Sequence, residues 1–326
     1  MGIRISGKIV REYLKRFPTL PNLTLAKKIY KENKLQFSNV EAVRNTIRYY
    51  TGRAGEKNKN NITDKEFIDR KIDFNMPESY ALTYEPYVIS QSKILILSDL
   101  HFPYQDNQAI KTAIKYGKEK GVNCILINGD LFDFATISRH EKDWRHRSVA
   151  EEFDAVRKFL KELRGHFPKA KIVFKEGNHD ERFEKFLFLK APEIFDDNEF
   201  KLEVRLRLGE LKIDIVKDML PVKIGKLNVL HGHELQGSGG VNPARATFLK
   251  TIDNVLIGHC HRTSTHLEKT FNGKVLAVNS SGCLCGMYPM FSRVNKWNLG
   301  FVYVELNVKT GEYVLENKVI IANKVY

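Results

Sequence analysis

Five short clusters of metal-binding residues, each set behind a run of apolar and β-branched residues, constrain this 326-residue chain more than any other feature. Asp99-Leu100-His101 follows Ile94-Leu95-Ile96-Leu97, and Gly129-Asp130-Leu131-Phe132-Asp133 follows Cys124-Ile125-Leu126-Ile127. Gly177-Asn178-His179-Asp180 comes after Ile172-Val173-Phe174, and His231-Gly232-His233 after Leu227-Asn228-Val229-Leu230. The last, Gly258-His259-Cys260-His261, comes after Val255-Leu256-Ile257. Short apolar runs bounded by polar residues predict strands buried on both faces. The clusters then stand where strands end and loops begin, which is where open α/β sheets gather their sites.

Between the clusters the pattern turns helical. Asn107 to Lys120, closed near Gly121, and Ser148 to Leu163, with Val149, Phe153, Val156, Leu160 and Leu163 on one face, predict helices alternating with strands. Past the fifth cluster, residues 265–271, 274–279, 299–306 and 313–321 predict successive strands, with turns at Asn272-Gly273 and Thr310-Gly311. A second sheet packed on the first, with helices outside, makes a four-layer α/β/β/α sandwich. Asp, Asn and His in this mixture suit manganese, iron or zinc. Two such ions about 3.5–4 Å apart, joined by one carboxylate, hold a hydroxide between them and a phosphate beside it. That arrangement needs one bridging Asp and about three further ligands per ion, which five clusters supply.

The order Asp-x-His, Gly-Asp-x-x-Asp, Gly-Asn-His-Asp, His-Gly and Gly-His-x-His resembles the calcineurin-like metallophosphoesterase superfamily, over residues 93–265 by motif and to the C-terminus by fold. The resemblance implies that Asp99, His101 and His261 bind a first metal and Asp130 bridges. Asn178, His231 and His259 would bind the second. It places His179 beside the phosphate as general acid, with Asp133 orienting it and keeping it protonated, and gives Asp180 a structural part. It also implies two divalent ions, manganese by preference and iron, zinc or nickel otherwise, and in-line attack on phosphorus by the bridging hydroxide. In the Ser/Thr protein phosphatases of this superfamily the second motif continues Arg-Gly. Here it continues Phe134-Ala135, and the Gly282-Cys283-Leu284-Cys285 stretch is closer to phage and bacterial members.

Charge sets the first sixty residues apart. They hold 14 Lys and Arg against four Glu, a net of +10, and leave +4 of the chain's +14 for the other 266 residues. Such asymmetry predicts a polyanion-binding appendage on a near-neutral body. Ile5, Ile9, Tyr13 and Phe17 make one helical face that Pro18 stops, and Leu25, Ala26, Ile29 and Tyr30 make a second. Ser38-Asn39-Val40-Glu41 reads as a capping box before a third helix of Val40, Val43, Ile47 and Tyr50, with Gly52 at its C-cap. That helix offers Arg44, Asn45 and Arg48 outward, with Arg53 just beyond, as nucleic-acid contacts of a helix-turn-helix-like module. The expected organisation is this basic domain at 1–60, a linker and extended segment at 61–92, and the phosphoesterase domain at 93–326.

Other features weigh less. Four cysteines in a chain this long make no disulfide framework, no stretch is apolar enough for a membrane span, and the expected setting is cytoplasmic. Arg139, Arg145, Arg147 and Arg182 are possible phosphate contacts, because a guanidinium matches phosphate with two parallel hydrogen bonds. His140, His146, His166 and His266 lie outside the motifs, and His233 is ambiguous. The leading expectation is a phosphodiesterase or nuclease whose basic module brings DNA or RNA to a tethered active site. A phosphatase or phosphodiesterase for nucleotides or phosphoproteins is the alternative, and a non-catalytic DNA-binding regulator a lesser one.

Overall fold

Three helices open the chain: α1 (Ile5–Arg16), α2 (Asn22–Glu32) and α3 (Val40–Thr51). They belong to the first of two units, Met1–Leu82 and Thr83–Tyr326, in a computed structural model that describes residues 5–52, 78–81, 84–138, 148–237, 239–289 and 292–326. Arg53, Arg139, Arg145, Arg147, His140 and His146 lie outside the described residues, as does most of the expected linker.

The helical unit has its own core of Val10, Leu14, Leu25, Ala26, Ile29, Phe37, Val43 and Ile47. Two local expectations shift. In α1 the buried row is Val10 and Leu14, with Ile9, Tyr13 and Phe17 packed at its flank and Ile5 65% exposed. The apolar face spans two adjacent rows, and the neighbouring helices choose which one is covered. The cap of α3 is Asn39 and not Ser38: Asn39 Oδ1 accepts from the Ala42 amide at 2.8 Å. Glu41, freed from any reciprocal cap, lies 3.4 Å from Arg44 and 3.5 Å from Arg48.

The second unit contains thirteen strands among the described residues, β1 (Tyr87–Ile89), β2 (Lys93–Leu97), β3 (Cys124–Asn128), β4 (Lys171–Lys175), β5 (Ile213–Val216), β6 (Val222–Ile224), β7 (Leu227–Val229), β8 (Val255–Ile257), β9 (Ser264–Lys269), β10 (Val275–Ser280), β11 (Gly300–Leu306), β12 (Tyr313–Ile321) and β13 (Lys324–Val325). One sheet runs β13-β12-β11-β2-β3-β4-β5 and the other β1-β6-β7-β8-β10-β9. The segment read only as extended before residue 93 supplies β1, which pairs in parallel with β6.

Residues alternate across a strand, so each central strand serves two cores. Leu95, Leu97, Ile125, Ile127, Ile172 and Phe174 face the helices. Ile94, Ile96, Cys124, Leu126 and Val173 meet Val222, Ile224, Leu227, Val229 and Leu256 of the other sheet. Helices α4 (Asn107–Lys120) and α5 (Val149–His166) contribute Ala109, Ala113, Phe153, Val156, Leu160 and Leu163 to the outer core of the first sheet. Next come α6 (Glu181–Lys190), the single turn α7 (Leu202–Arg205) and α8 (Pro243–Thr251). On the outer side of the second sheet α8 packs Ala244 and Phe248 against Val255, Ile257, Leu276 and Val278. Helix, sheet, sheet and helix make four layers. Among the described residues no helix is long and apolar enough to cross a membrane.

Candidate metal centre

The five clusters lie at one end of this sandwich. Strands β2, β3 and β4 are parallel neighbours in one sheet and β7 and β8 in the other, so their C-terminal loops emerge together. Beyond the strands the loops remain laced: the amides of Asp99 and His101 donate to the carbonyls of Gly129 and Asp130, and that of Gly258 to His231. Asp99, His101, Asp130, His259 and His261 all have left-handed backbone, with φ between 49° and 62°. Such values are uncommon outside glycine and cluster at functional sites, where the surrounding fold enforces them. Glycine is required close by: a Cβ at Gly129, whose φ is 82°, would strike the His231 ring, and one at Gly177 would strike the Asp130 carboxylate.

Two sets of donor atoms converge. In the first, His101 Nε2 lies 3.1 Å from His261 Nε2 and 3.6 Å from Asp130 Oδ2, while His261 Nε2 lies 3.3 Å from Asp99 Oδ1. In the second, His231 Nε2 lies 3.2 Å from Asp130 Oδ2, and donor atoms of Asp130, His231 and His259 fall within 4.8 Å of one another. Ligands held about 2.1 Å from a common ion are about 3.0–3.4 Å apart, so most of these separations match a shared cation. The tautomers agree. His101 Nδ1 bonds Asp133 Oδ1 at 3.0 Å and His231 Nδ1 bonds the Asn128 carbonyl at 2.8 Å, which leaves each Nε2 facing inward, where an ion would displace any proton it carries. His231 Nε2 and Asn178 Oδ1 are buried with no hydrogen-bond partner. The donor set fits two divalent ions, with Asp130 common to both.

Electrostatics point the same way. Burial alone would raise Asp130, yet His231 and His179 hold its carboxyl well below the usual range. Against burial, Asp130 and Asp99 push His231 up to about 10, and Asp99 pushes His261 up to about 9. Burial and the neighbouring His231 lower His259 to about 4. Buried carboxylates this dense demand compensating positive charge.

His179 stands at the rim. Its Nδ1 bonds the Asp133 backbone carbonyl at 2.8 Å and lies 3.4 Å from Asp133 Oδ1, and its Nε2 accepts from Arg182 Nη2 at 2.9 Å. Arg182 also donates to the Asp133 carbonyl at 2.7 Å. The Asp133 carboxylate is thus nearer to His101 than to His179. Asp180 is fully buried and accepts from the amides of Phe132, at 3.0 Å, and Gly177, at 2.8 Å, which ties the second motif loop to the third.

The family model of the calcineurin-like phosphoesterases matches residues 92–284. The chain belongs to that family. Among its relatives, the gene 54 protein of Mycobacterium phage L5 is 26% identical over 234 residues, covering 66% of this chain and 89% of that protein. Similar solved structures include the Escherichia coli phosphoesterase YfcE, 14% identical with a TM-score of 0.35 over 69% of this chain and 98% of that one. Another is the Pseudomonas putida nuclease MPE, 12% identical with a TM-score of 0.33 over 72% and 86% of the respective chains.

As a calcineurin-like phosphoesterase the chain is a metal-dependent phosphoester hydrolase, and several supports of its centre carry no motif. Lys175 and Glu234 form a buried ion pair of 2.8 Å, and Glu234 also accepts from the amides of His231, at 3.0 Å, and Gly232, at 2.6 Å. His233 turns away from the donors to Glu181, 3.0 Å distant. Cys285 Sγ sits 3.9 Å from His261 Nδ1, and the Trp297 ring lies edge-on to His261 with centroids 4.1 Å apart. Only the apolar–polar rhythm of Phe174-Lys175-Glu176 hinted at the first of these, since a lysine inside a buried strand needs a partner. His166 and His266 stay outside the centre, one beside Lys118 and the other beside Glu268.

Proposed function

We propose that this phosphoesterase cleaves phosphodiesters, with DNA or RNA as its substrate class. The observation that carries the reading is the position of Asp130, shared by two donor sets and flanked by the His179–Arg182 pair. Asp99, His101 and His261 would hold one divalent ion and Asn178, His231 and His259 the other, with manganese the favoured metal. Two ions so placed supply a nucleophile at neutral pH and offset the charge that develops on phosphorus.

The chain's own residues do the rest. Arg182 presents a guanidinium toward a phosphoryl group, and an anion that draws it off His179 Nε2 frees that nitrogen to carry a proton. Nδ1 is anchored on the Asp133 carbonyl, so Nε2 is the atom that faces the leaving oxygen and delivers the proton. In the helical unit Asn45 and Arg48 are exposed on α3, and Tyr49 is 52% exposed beside them. The Glu41 contacts of Arg44 and Arg48 are solvent-exposed pairs of about 0–1 kcal/mol, which a phosphate backbone readily displaces.

The test is cleavage of labelled single- and double-stranded DNA and RNA with Mn²⁺, run beside bis-aryl and mono-aryl phosphates. Polynucleotide cleavage abolished in His179→Ala and Asp130→Asn supports the reading. Turnover of small phosphomonoesters alone overturns it in favour of a phosphatase for nucleotides or phosphoproteins.

A further inference from the structure

Beside the donor sets a cleft of about 470 Å³ opens, lined in part by His233, Gln236, His259, Cys260 and Arg262. Among the described residues no carboxylate lines it. A volume of about 300–1,000 Å³ is the scale of small organic ligands, a nucleotide among them. One wall is a metal-ligand residue, His259, so whatever fills the cleft is continuous with a group held over the centre.

Arg262 is the informative residue. Its backbone is fixed: its carbonyl accepts from Ser280 Oγ at 2.8 Å, and the following amide, of Thr263, donates to Asn298 Oδ1 at 2.7 Å. The residue is half-buried, and among the described residues no Asp or Glu pairs with its guanidinium. Other basic side chains around the donor sets have partners: Lys175 pairs with Glu234, His233 bonds Glu181, and Arg182 donates to the Asp133 carbonyl. A half-buried arginine in a concave wall whose described residues include no carboxylate suits an anion, and a phosphate matches its fork with two hydrogen bonds.

We propose that Arg262 grips a second phosphate of the substrate, so that the cleft holds the nucleotide next to a scissile phosphodiester. This inference rests on the phosphodiesterase reading and narrows it: Arg262 is a specificity residue that selects esters carrying a neighbouring phosphate over isolated ones. A simple aryl diester leaves the cleft empty and gains nothing from it.

The experiment is calorimetric titration of the full chain with thymidine 3′,5′-bisphosphate and with thymidine 5′-monophosphate, for wild type, Arg262→Ala and Arg262→Lys. The wild type should bind the bisphosphate about tenfold more tightly, the order expected of one charge-assisted contact. Arg262→Ala should erase that preference without changing monophosphate affinity or melting temperature, and Arg262→Lys should keep part of it. No preference in the wild type, or a preference that survives Arg262→Ala, overturns the inference. Turnover of bis(4-nitrophenyl) phosphate by the same preparations separates the two levels. Its absence from the wild type overturns the diesterase reading, while a bisphosphate preference lost in Arg262→Ala would still establish the anion site.

Discussion

Lys175 Nζ lies 2.8 Å from Glu234 Oε1, with the two side chains only 1% and 9% exposed. This pair joins the strand that leads into Asn178 to the loop that carries His231. Lys175 also donates to the Leu220 carbonyl at 2.9 Å, and its charge holds Glu234 down to about 2 against burial. Removing one partner strands the other charge, at a cost of about 3–5 kcal/mol. Lys175→Met and Glu234→Leu should each lower the urea midpoint sharply, and the double variant should recover much of the loss. Additive effects in that cycle would show that the two side chains do not act as a pair.

Glu152 gives a pH dependence of known sign. Its carboxyl is buried on α5, accepts from the Phe134 amide at 2.8 Å, and is pushed up to about 8 by burial and by the charge of Asp133, from an ordinary value of 4.5. Between those two values the folded protein holds a proton that the unfolded chain releases, so this group's contribution to stability falls as pH rises toward 8. Above that the carboxylate is charged and buried. Glu152→Gln should therefore match wild type in melting temperature near pH 4.5 and exceed it at pH 9, with each kcal/mol of relief worth about 2–4 °C. An equal difference at both pH values would sink the assignment.

Trp297 offers a direct report on the metal centre. With its ring 4.1 Å from that of His261, its emission should change when Zn²⁺ or Mn²⁺ is added. The chain has two tryptophans, so a Trp144→Phe background isolates the signal. The titration should saturate at two ions per chain and reverse with chelator. His261→Ala should abolish the Trp297 response, whereas a response unchanged in that variant would place the bound metal elsewhere. Because the ligands are assembled only in the folded state, metal should also raise the melting temperature.

A proton donor betrays itself through the leaving group. His179→Gln should slow hydrolysis of an alkyl diester or oligonucleotide by about 10²–10⁴-fold, the usual reach of general acid catalysis. The same change should matter far less for a 4-nitrophenyl ester, whose leaving oxygen needs no proton. Equal losses on both substrates would assign His179 to binding or positioning instead. Arg182→Lys keeps the charge but not the fork, and should mainly raise KM.

The fold and the donor residues are legible in the sequence for one reason: both signals are local. A buried strand announces itself by its apolar run, and the residue at its end by its identity, so Asp99 or His259 needs no distant partner to be noticed. The supporting contacts are distant. Asp180 serves the amide of Phe132, 48 residues away, and Lys175 finds Glu234 only when two sheets stack. Local choices between near-equals also escape. Ser38 and Asn39 both make good caps, and Ile5 and Val10 both belong to an apolar face, so packing of α2 and α3 decides each case. Nothing local to Arg262 in the sequence marks it, because the role proposed for it depends on the cleft that it lines.

The left-handed backbone at Asp99, His101, Asp130, His259 and His261 has a consequence for how this protein can change. Non-glycine residues held in such regions cost on the order of 1–3 kcal/mol each. Glycine is the substitution that relaxes them, and at these five positions glycine deletes the donor. No single mutation separates the strained main chain from the ligand it aims. A descendant of this chain that became more stable would have to gain its stability away from the centre, in caps, surface charges and loops, while these five positions stayed fixed as a block.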